Sequence, residues 1–434
     1  MPGDRRLYVD ITTTLQEQGR IPHGTTRVEG GILAALAAIE RPDVSYFAFD
    51  RAANRFAAVA REEVARIAAT AKSATRRNVG PAWRRGLHAL VRTMRRHPGS
   101  ASTALRPALP AGLDLFEPGS RILFAGELHR HDFAALLEVK NRRRAAFVFV
   151  FYDLLATLPD GDPRLLDPAA SDIPPTDFVA RHGELMLPIS RFSAEKLRQH
   201  QSRRGHAGSP VSVMRLAGKL EAAPRESAAL SRLVPGRFVL TVGDVALRKN
   251  HVLLAKVWKR LISTEASPPR LVVAGRIHPE CWAFAFAVKK DKVLRDVIDF
   301  EGSIGDAQLA WLYANCRFTV FPSLLEGFGL PVAESLSCGK LCLSSSASAI
   351  PEAGQGLAVE LDPRDEDAWY RAIGSFWRDD ALLAEKEAEI RARFKPVSWQ
   401  DTVRDILEAI DLASLAAPTS HHREIACPAQ RQDQ

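Results

Sequence analysis

The sequence predicts an α/β protein of two domains, each a mainly parallel sheet wrapped by crossover helices. Three observations lead there. The chain of 434 residues is too long for one ordinary core. Short apolar runs alternate along it with longer stretches of helical periodicity, the pattern of strand, crossover helix and parallel strand. Between two groups of such runs lies the polar stretch Gly218–Gly236, broken by Pro224 and Pro235, which reads as a boundary.

Taken in order, the predicted strands of the first group are Leu7–Thr13, Val44–Asp50, Arg121–Gly126, Ala145–Asp153, Glu184–Ser190 and Val211–Ala217. Those of the second are Arg237–Val245, Arg270–Gly275, Val297–Gly302, Phe318–Ser323 and Lys340–Ser345. The first domain is therefore expected over 1–225 and the second over 236–410. Three segments depart from the pattern: a basic helical insertion over about 55–115, an irregular Asp- and Pro-containing loop from Pro159 to Pro175, and a tail from Ala416 to Gln434 without apolar periodicity, expected to be disordered.

Apolar residues make up 46% and charged residues 25%, a globular balance. No apolar run reaches the roughly 18 residues of a spanning helix, and the charged Met1–Arg6 has no signal-type core, so a cytoplasmic protein is expected. Five cysteines, Cys281, Cys316, Cys338, Cys342 and Cys427, show neither a disulfide framework nor zinc spacing. The net charge is +8, and residues 61–110 alone hold eleven Lys and Arg against two Glu. Trp83, Leu87, Leu90, Val91 and Met94 interleave with those arginines, so the stretch reads as a solvated helical face or as an interfacial helix for an anionic membrane. No aromatic platform of the kind that binds RNA accompanies it, and no nucleic-acid partner is expected.

Ligands of open α/β sheets bind at the carboxyl ends of the strands, and two loops there carry chemistry. Gly243-Asp-Val-Ala-Leu-Arg248-Lys249-Asn250-His251 sets two cations beside a helix start, which suits a diphosphate or, more plainly, a solvated turn. Ser323-Leu-Leu-Glu326-Gly327-Phe328-Gly329-Leu330-Pro331-Val-Ala-Glu334 pairs two carboxylates with a Gly-rich turn whose N–H groups can approach ligand oxygens. Glu334 would then sit in the first turn of a helix, where the dipole favours a carboxylate.

The second loop resembles the E-x7-E motif of family 4 (group 1) glycosyltransferases. Gly243–His251, Asp306–Ser323, Gly339–Pro363 and Ser398-Trp399 resemble the same family in order, over about 235–410. In the first half, Asp10, Gly24-Thr-Thr-Arg27-Val28, Tyr152-Asp153-Leu154 and Ser190-Arg-Phe-Ser193 resemble it more weakly, with Tyr152 where many members have histidine. The resemblance implies a GT-B fold, two Rossmann-like domains facing each other across a cleft, and a retaining glycosyltransferase. It implies that Arg248 and Lys249 bind the donor diphosphate, that Glu326 with Gly327, Phe328, Gly329 and Leu330 holds the sugar, that Glu334 holds the ribose, and that Gly243 is among the donor-binding residues. Gly24, Arg27, Tyr152, Asp153 and Ser190 become possible contacts from the first domain. A phenol is a poorer base than imidazole at neutral pH, so Tyr152 is expected to bind rather than to take a proton.

A nucleotide sugar is thus the expected co-substrate, with mannose favoured, and a glycan or lipid-linked saccharide the expected acceptor in cell-surface polysaccharide assembly. No separate cofactor is expected. Asp160-Gly-Asp162 is the nearest thing to a metal motif, in an irregular loop, and no metal is expected either. Two other readings remain: a nucleotide-sugar epimerase of the same architecture, which would need no acceptor, and a non-catalytic basic scaffold or nucleic-acid binder.

Overall fold

The computed structural model describes residues 5–18, 21, 24–73, 112–153, 174–205 and 208–415. The basic stretch beyond Ser73, the Asp- and Pro-containing loop through 173 and the tail from 416 lie outside them. Strands of the first sheet are β1 (Leu7–Asp10), β2 (Val44–Asp50), β3 (Arg55–Val59), β4 (Arg121–Phe124), β5 (Ala146–Phe151) and β6 (Gly183–Pro188). Those of the second are β7 (Phe238–Val242), β8 (Arg270–Ala274), β9 (Ile298–Gly302), β10 (Thr319–Phe321), β11 (Cys342–Ser345) and β12 (Val359–Leu361).

Both sheets are covered on both faces, which is why their central strands are apolar throughout rather than alternating. In β7, Phe238 and Leu240 face one helical layer while Val239 faces the other. The orders are β3-β2-β1-β4-β5-β6 and β12-β11-β10-β7-β8-β9. In each, the chain starts in the middle, builds one edge, then crosses to build the other. The switch points therefore fall between β1 and β4 and between β7 and β10, and open-sheet ligands bind outside the strand ends at such points.

Two sequence expectations need correction. The segment from 55 does not open as a helical insertion: β3 runs antiparallel to β2. Asp50 accepts hydrogen bonds from the N–H groups of Ala52 and Ala53, and Asn54 adopts φ 47°, so the polar turn Asp50–Asn54 makes a hairpin and buries Phe56, Ala57 and Val59. The helix Arg61–Ser73 that follows buries Val64, Ile67 and Ala68, so this part belongs to the core. Val211–Ala217 is not a strand. It runs beside β6 with the Ser212 and Met214 N–H groups donating to the Met186 and Pro188 carbonyls, and a single bridge at Val211 is its only ladder contact.

The C-terminal helix Trp399–Leu415 leaves its own sheet and buries Val403, Ile406, Ala409 and Ile410 in the core of the first domain. It lies on the helix Gly24–Ala38, where Gly31 has no space for a side chain: a Cβ would stand 2.3 Å from the Trp399 indole. Among the described residues no helix is long and apolar enough to cross a membrane. Gly31→Val should overpack this contact at a cost of about 1–3 kcal/mol, lowering Tm by several degrees. An unchanged melting transition would mean that the two helices do not pack as described.

Candidate functional site

The loops leaving β7 and β10 meet because backbone and side-chain bonds tie them together. The Leu324 N–H donates to the Arg248 carbonyl at 2.8 Å. Asn250, left-handed at φ 58°, turns the chain from the short 3-10 segment Leu247–Lys249 into the helix His251–Thr264. Its amide donates to the carbonyls of Pro322 and Pro363. Gly243 is needed at φ 134°, and the neighbouring Gly275 is pressed so close that a Cβ would lie 2.0 Å from the Gly243 carbonyl oxygen. Gly329, at φ 112°, starts the helix Leu330–Ser337 with Pro331 in its first turn.

This construction brings Arg248, Lys249 and Glu326 together. Arg248 Nη1 and Lys249 Nζ lie 2.7 and 2.6 Å from the same oxygen, Glu326 Oε1. The Lys249 ammonium also stands 4.9 Å from the centre of the Phe321 ring. Burial would raise the Glu326 carboxyl, but Arg248 and Lys249 hold it down at about 2. Burial lowers Lys249, and Arg248 beside it adds to that. His251, buried and facing Lys249, is pushed down to about 3 and is neutral. Two cations sharing one carboxylate leave a local positive excess, the requirement for an anionic ligand group.

The first domain closes on this loop. Ser190 caps the helix Arg191–Arg203 by accepting from the Ser193 N–H, and its hydroxyl donates to the Gly327 carbonyl at 2.7 Å. Ser193 Oγ donates to the Tyr152 carbonyl at 2.8 Å. A Cβ on Gly327 would come within 2.4 Å of the Tyr152 carbonyl oxygen and 3.2 Å of Asp153. Glu352, across the domain boundary, accepts from the Arg191 and Phe192 N–H groups, both at 2.8 Å. The Tyr152 phenol donates to the Ala125 carbonyl. Burial and the nearby Glu29 and Glu127 raise it well above its ordinary value.

Arg27 crosses the boundary in the other direction. Its Nη1 lies 2.7 Å from Glu334 Oε1 and its Nη2 3.7 Å from Asp306. Tyr313 donates to the other Glu334 oxygen at 2.9 Å. Burial raises the Glu334 carboxyl, and Arg27 and Tyr313 oppose the rise.

A cleft of about 550 Å³ lies between the domains. Gly24, Arg27, Tyr152 and Asp153 line it from one side, and Gly243, Arg248, Lys249, Glu326 and the turn Gly327–Leu330 from the other. Two of the sequence candidates do not reach its wall. Ser190 is buried in the domain contact, and Glu334 stands behind Arg27 with both oxygens engaged. Sequence reading missed Asp244, Arg276 and His278, which share the wall. Asp244 takes two hydrogen bonds from the Arg276 guanidinium and one from its N–H, with His278 Nε2 at 3.2 Å. Burial alone would raise the Asp244 carboxyl, yet His278 and Arg276 hold it well below the carboxylate range. Gly275–Glu280 leaves the carboxyl end of β8, so the rule that singled out the other two loops applied to it as well. Among the described residues no three His, Cys, Asp or Glu side chains are grouped closely enough to hold a metal ion, and Asp160 and Asp162 lie outside those residues.

A sequence model for the family described as "Glycosyl transferases group 1" matches residues 225–397. The second domain is a group 1 glycosyltransferase domain. Serotype-specific mannosyltransferase WbdA of Escherichia coli is 29% identical over 176 residues, 40% of this chain and 22% of that protein. O-antigen chain mannosyltransferase B of the same organism is 34% identical over 115 residues, 26% of this chain and 30% of that one. The chain thus spans between a fifth and a third of these relatives. The fold of the described residues is the GT-B fold. Anabaena HepE, solved with UDP and glucose, superposes with a TM-score of 0.58 over 94% of this chain and all of that one, at 13% identity.

The ion pair at the rim of the group 1 domain sets a pH dependence. The hydrogen bond to Asp244 raises His278 above its ordinary 6.5, so the pair's contribution is fully present below about 6.5. It is lost as pH rises through the elevated value. Wild type should therefore exceed His278→Asn in Tm by more at pH 6 than at pH 9. An equal difference at both would remove the proposed ionic character of the contact.

Proposed function

We propose that this protein is a retaining glycosyltransferase that moves a sugar from a nucleotide-diphosphate donor to a hydroxyl of a glycan or lipid-linked saccharide, in the assembly of a cell-surface polysaccharide on the cytoplasmic side of the membrane. The observation that carries the reading is the convergence of Arg248 and Lys249 on Glu326, at the switch point of the group 1 domain and on the wall of the interdomain cleft. Mannose from guanosine diphosphate mannose is the proposed donor, supported by the two mannosyltransferase relatives.

In the reaction the bond from the anomeric carbon to the phosphate oxygen breaks and a bond to the acceptor oxygen forms. The acceptor proton passes to the departing diphosphate. Negative charge grows on that diphosphate as the bond stretches, and fixed cations facing it stabilise the transition state more than the ground state. Arg248 and Lys249 supply them, with N–H groups of the turn Gly327–Leu330 alongside. Glu326, ionised and pinned by the same cations, is placed to accept hydrogen bonds from sugar hydroxyls. Glu334 reaches the ribose only when Arg27 gives up its oxygen, so donor binding exchanges one partner for another.

Lys249→Ala removes a charge-assisted contact worth about 2 to 3 kcal/mol in a partly dry cleft, and kcat/KM should fall roughly 30- to 150-fold with kcat reduced. Glu326→Gln should lower kcat, while Glu334→Gln should mainly raise the donor KM. If Lys249→Ala, with an unchanged melting transition, leaves donor affinity and turnover at wild-type levels, the site assignment fails.

Two cations facing the leaving diphosphate do electrostatically what a divalent ion does in other transferases. Turnover should therefore persist in excess chelator. Complete loss on chelation, restored by magnesium or manganese, would overturn this part of the reading.

A further inference from the structure

The helix Trp282–Lys290 carries a surface that the proposed reaction does not use. Its inner side buries Ala285 and Val288 against the second sheet. Its outer side leaves Trp282 40% and Phe286 54% exposed, four residues apart and so one above the other along the helix, with Val293 46% exposed just beyond. Ala283 and Ala287 widen the same face. The indole is fixed there, because Trp282 Nε1 donates to the Ile277 carbonyl at 3.2 Å.

Two exposed aromatic rings on one helix face suit an interaction site, and the charges around them say of what kind. Lys289, Lys290 and Lys292 are exposed beside them, and the Lys290 ammonium lies 5.5 Å from the centre of the Phe286 ring. Among the described residues none of the three has an acidic partner. The acids nearest in sequence are already engaged: Asp291 by Lys259 at 2.7 Å and Asp296 by Arg295 at 3.4 Å. Aromatic rings flanked by unpaired lysines fit the boundary of a bilayer, where rings sit at headgroup depth and ammonium groups extend to lipid phosphates. A second copy of the chain fits poorly, since a two-fold contact would set the same lysines against each other.

We propose that Trp282, Phe286 and Val293, with Lys289, Lys290 and Lys292, form a docking surface for an anionic lipid bilayer. Glu280, two residues before Trp282, lines the cleft, so docking here holds the mouth of the cleft close to the lipid surface. The inference stands on exposure and charge and does not depend on the reaction proposed above.

The test is co-sedimentation of the full chain with vesicles of phosphatidylcholine alone and of phosphatidylcholine mixed with phosphatidylglycerol. Wild type should bind the mixed vesicles, and added salt should release it. Each lysine near such a surface contributes about fivefold, so the combined Lys289→Gln, Lys290→Gln, Lys292→Gln variant should bind more than tenfold more weakly. Trp282→Ser with Phe286→Ser should weaken binding about tenfold or more at any salt concentration. The lysines are exposed and make no ion pair among the described residues, so their variant should keep the wild-type melting transition, whereas the serine variant loses the Trp282–Ile277 hydrogen bond and should melt slightly lower; both should keep solution turnover. Failure of wild type to bind would overturn the proposal, as would equal binding to both vesicle types. So would variants that bind like wild type, the result expected if the basic stretch 61–110 alone carries the attachment. A change of sedimentation mass with unchanged vesicle binding would assign the surface to a second copy instead.

Discussion

Everything at the cleft depends on one carboxylate oxygen shared by two half-buried cations. Arg248 and Lys249 are adjacent in sequence, and two like charges side by side and partly withdrawn from water are held more easily when something of opposite sign lies between them. Glu326 Oε1 does this, at 2.7 and 2.6 Å. The two cations come from the loop after β7 and the acid from the loop after β10, so the cluster exists only if those strands are neighbours. They are neighbours because the sheet reverses its order there. The fold's switch point and the charge cluster are thus one constraint seen at two scales.

The cluster also accounts for the glycines around it. A cation pair drawn down onto a carboxylate brings backbone close to backbone, and Gly243, Gly275 and Gly327 are the positions where that closeness leaves no room for a side chain or demands a positive φ. Gly327 matters most, because what it touches is the Tyr152 carbonyl of the other domain. Together with the bonds from Ser190 and Ser193 and the Glu352 cap on the helix Arg191–Arg203, it makes the turn that carries the candidate sugar-binding N–H groups part of the domain contact itself. Arg27 adds a second link at Glu334. A ligand that binds the turn and displaces Arg27 would act on both links between the domains.

The second domain was legible because its constraints are local in sequence. Arg248, Lys249, Asn250, Gly329 and Pro331 each announce a turn or a helix start within a few residues, and the resemblance adds their order. What escaped was set by long-range contact. β3 is the exception: it pairs with β2 across the local turn Asp50–Asn54, a hairpin signal that the reading of a helical insertion passed over. Val211–Ala217 has strand composition and runs beside β6, but its pairing there stops at a single bridge, at Val211. The partner of Glu334 could not be read from its own segment, since Arg27 lies 307 residues earlier in the chain. Asp244 was visible, but its engagement by Arg276 and His278 depends on β7 and β8 lying side by side.

Tyr152 shows how such a long-range contact decides chemistry. Its position beside the cleft was expected from sequence, and the doubt about its basicity rested only on the ordinary pKa of a phenol. In the structure its hydroxyl is committed as a donor to the Ala125 carbonyl. Burial, with Glu29 and Glu127 nearby, raises it further from the range in which it would lose a proton. A group that must keep its proton to satisfy a buried carbonyl is unsuited to receive another from an acceptor hydroxyl. In the proposed reaction that proton therefore goes to the departing diphosphate, whose basicity grows as its bond to the sugar stretches. The cations that stabilise this group cannot neutralise it fully without removing that basicity. A pair shared with Glu326, rather than two cations free to close on the phosphate, keeps their pull partial.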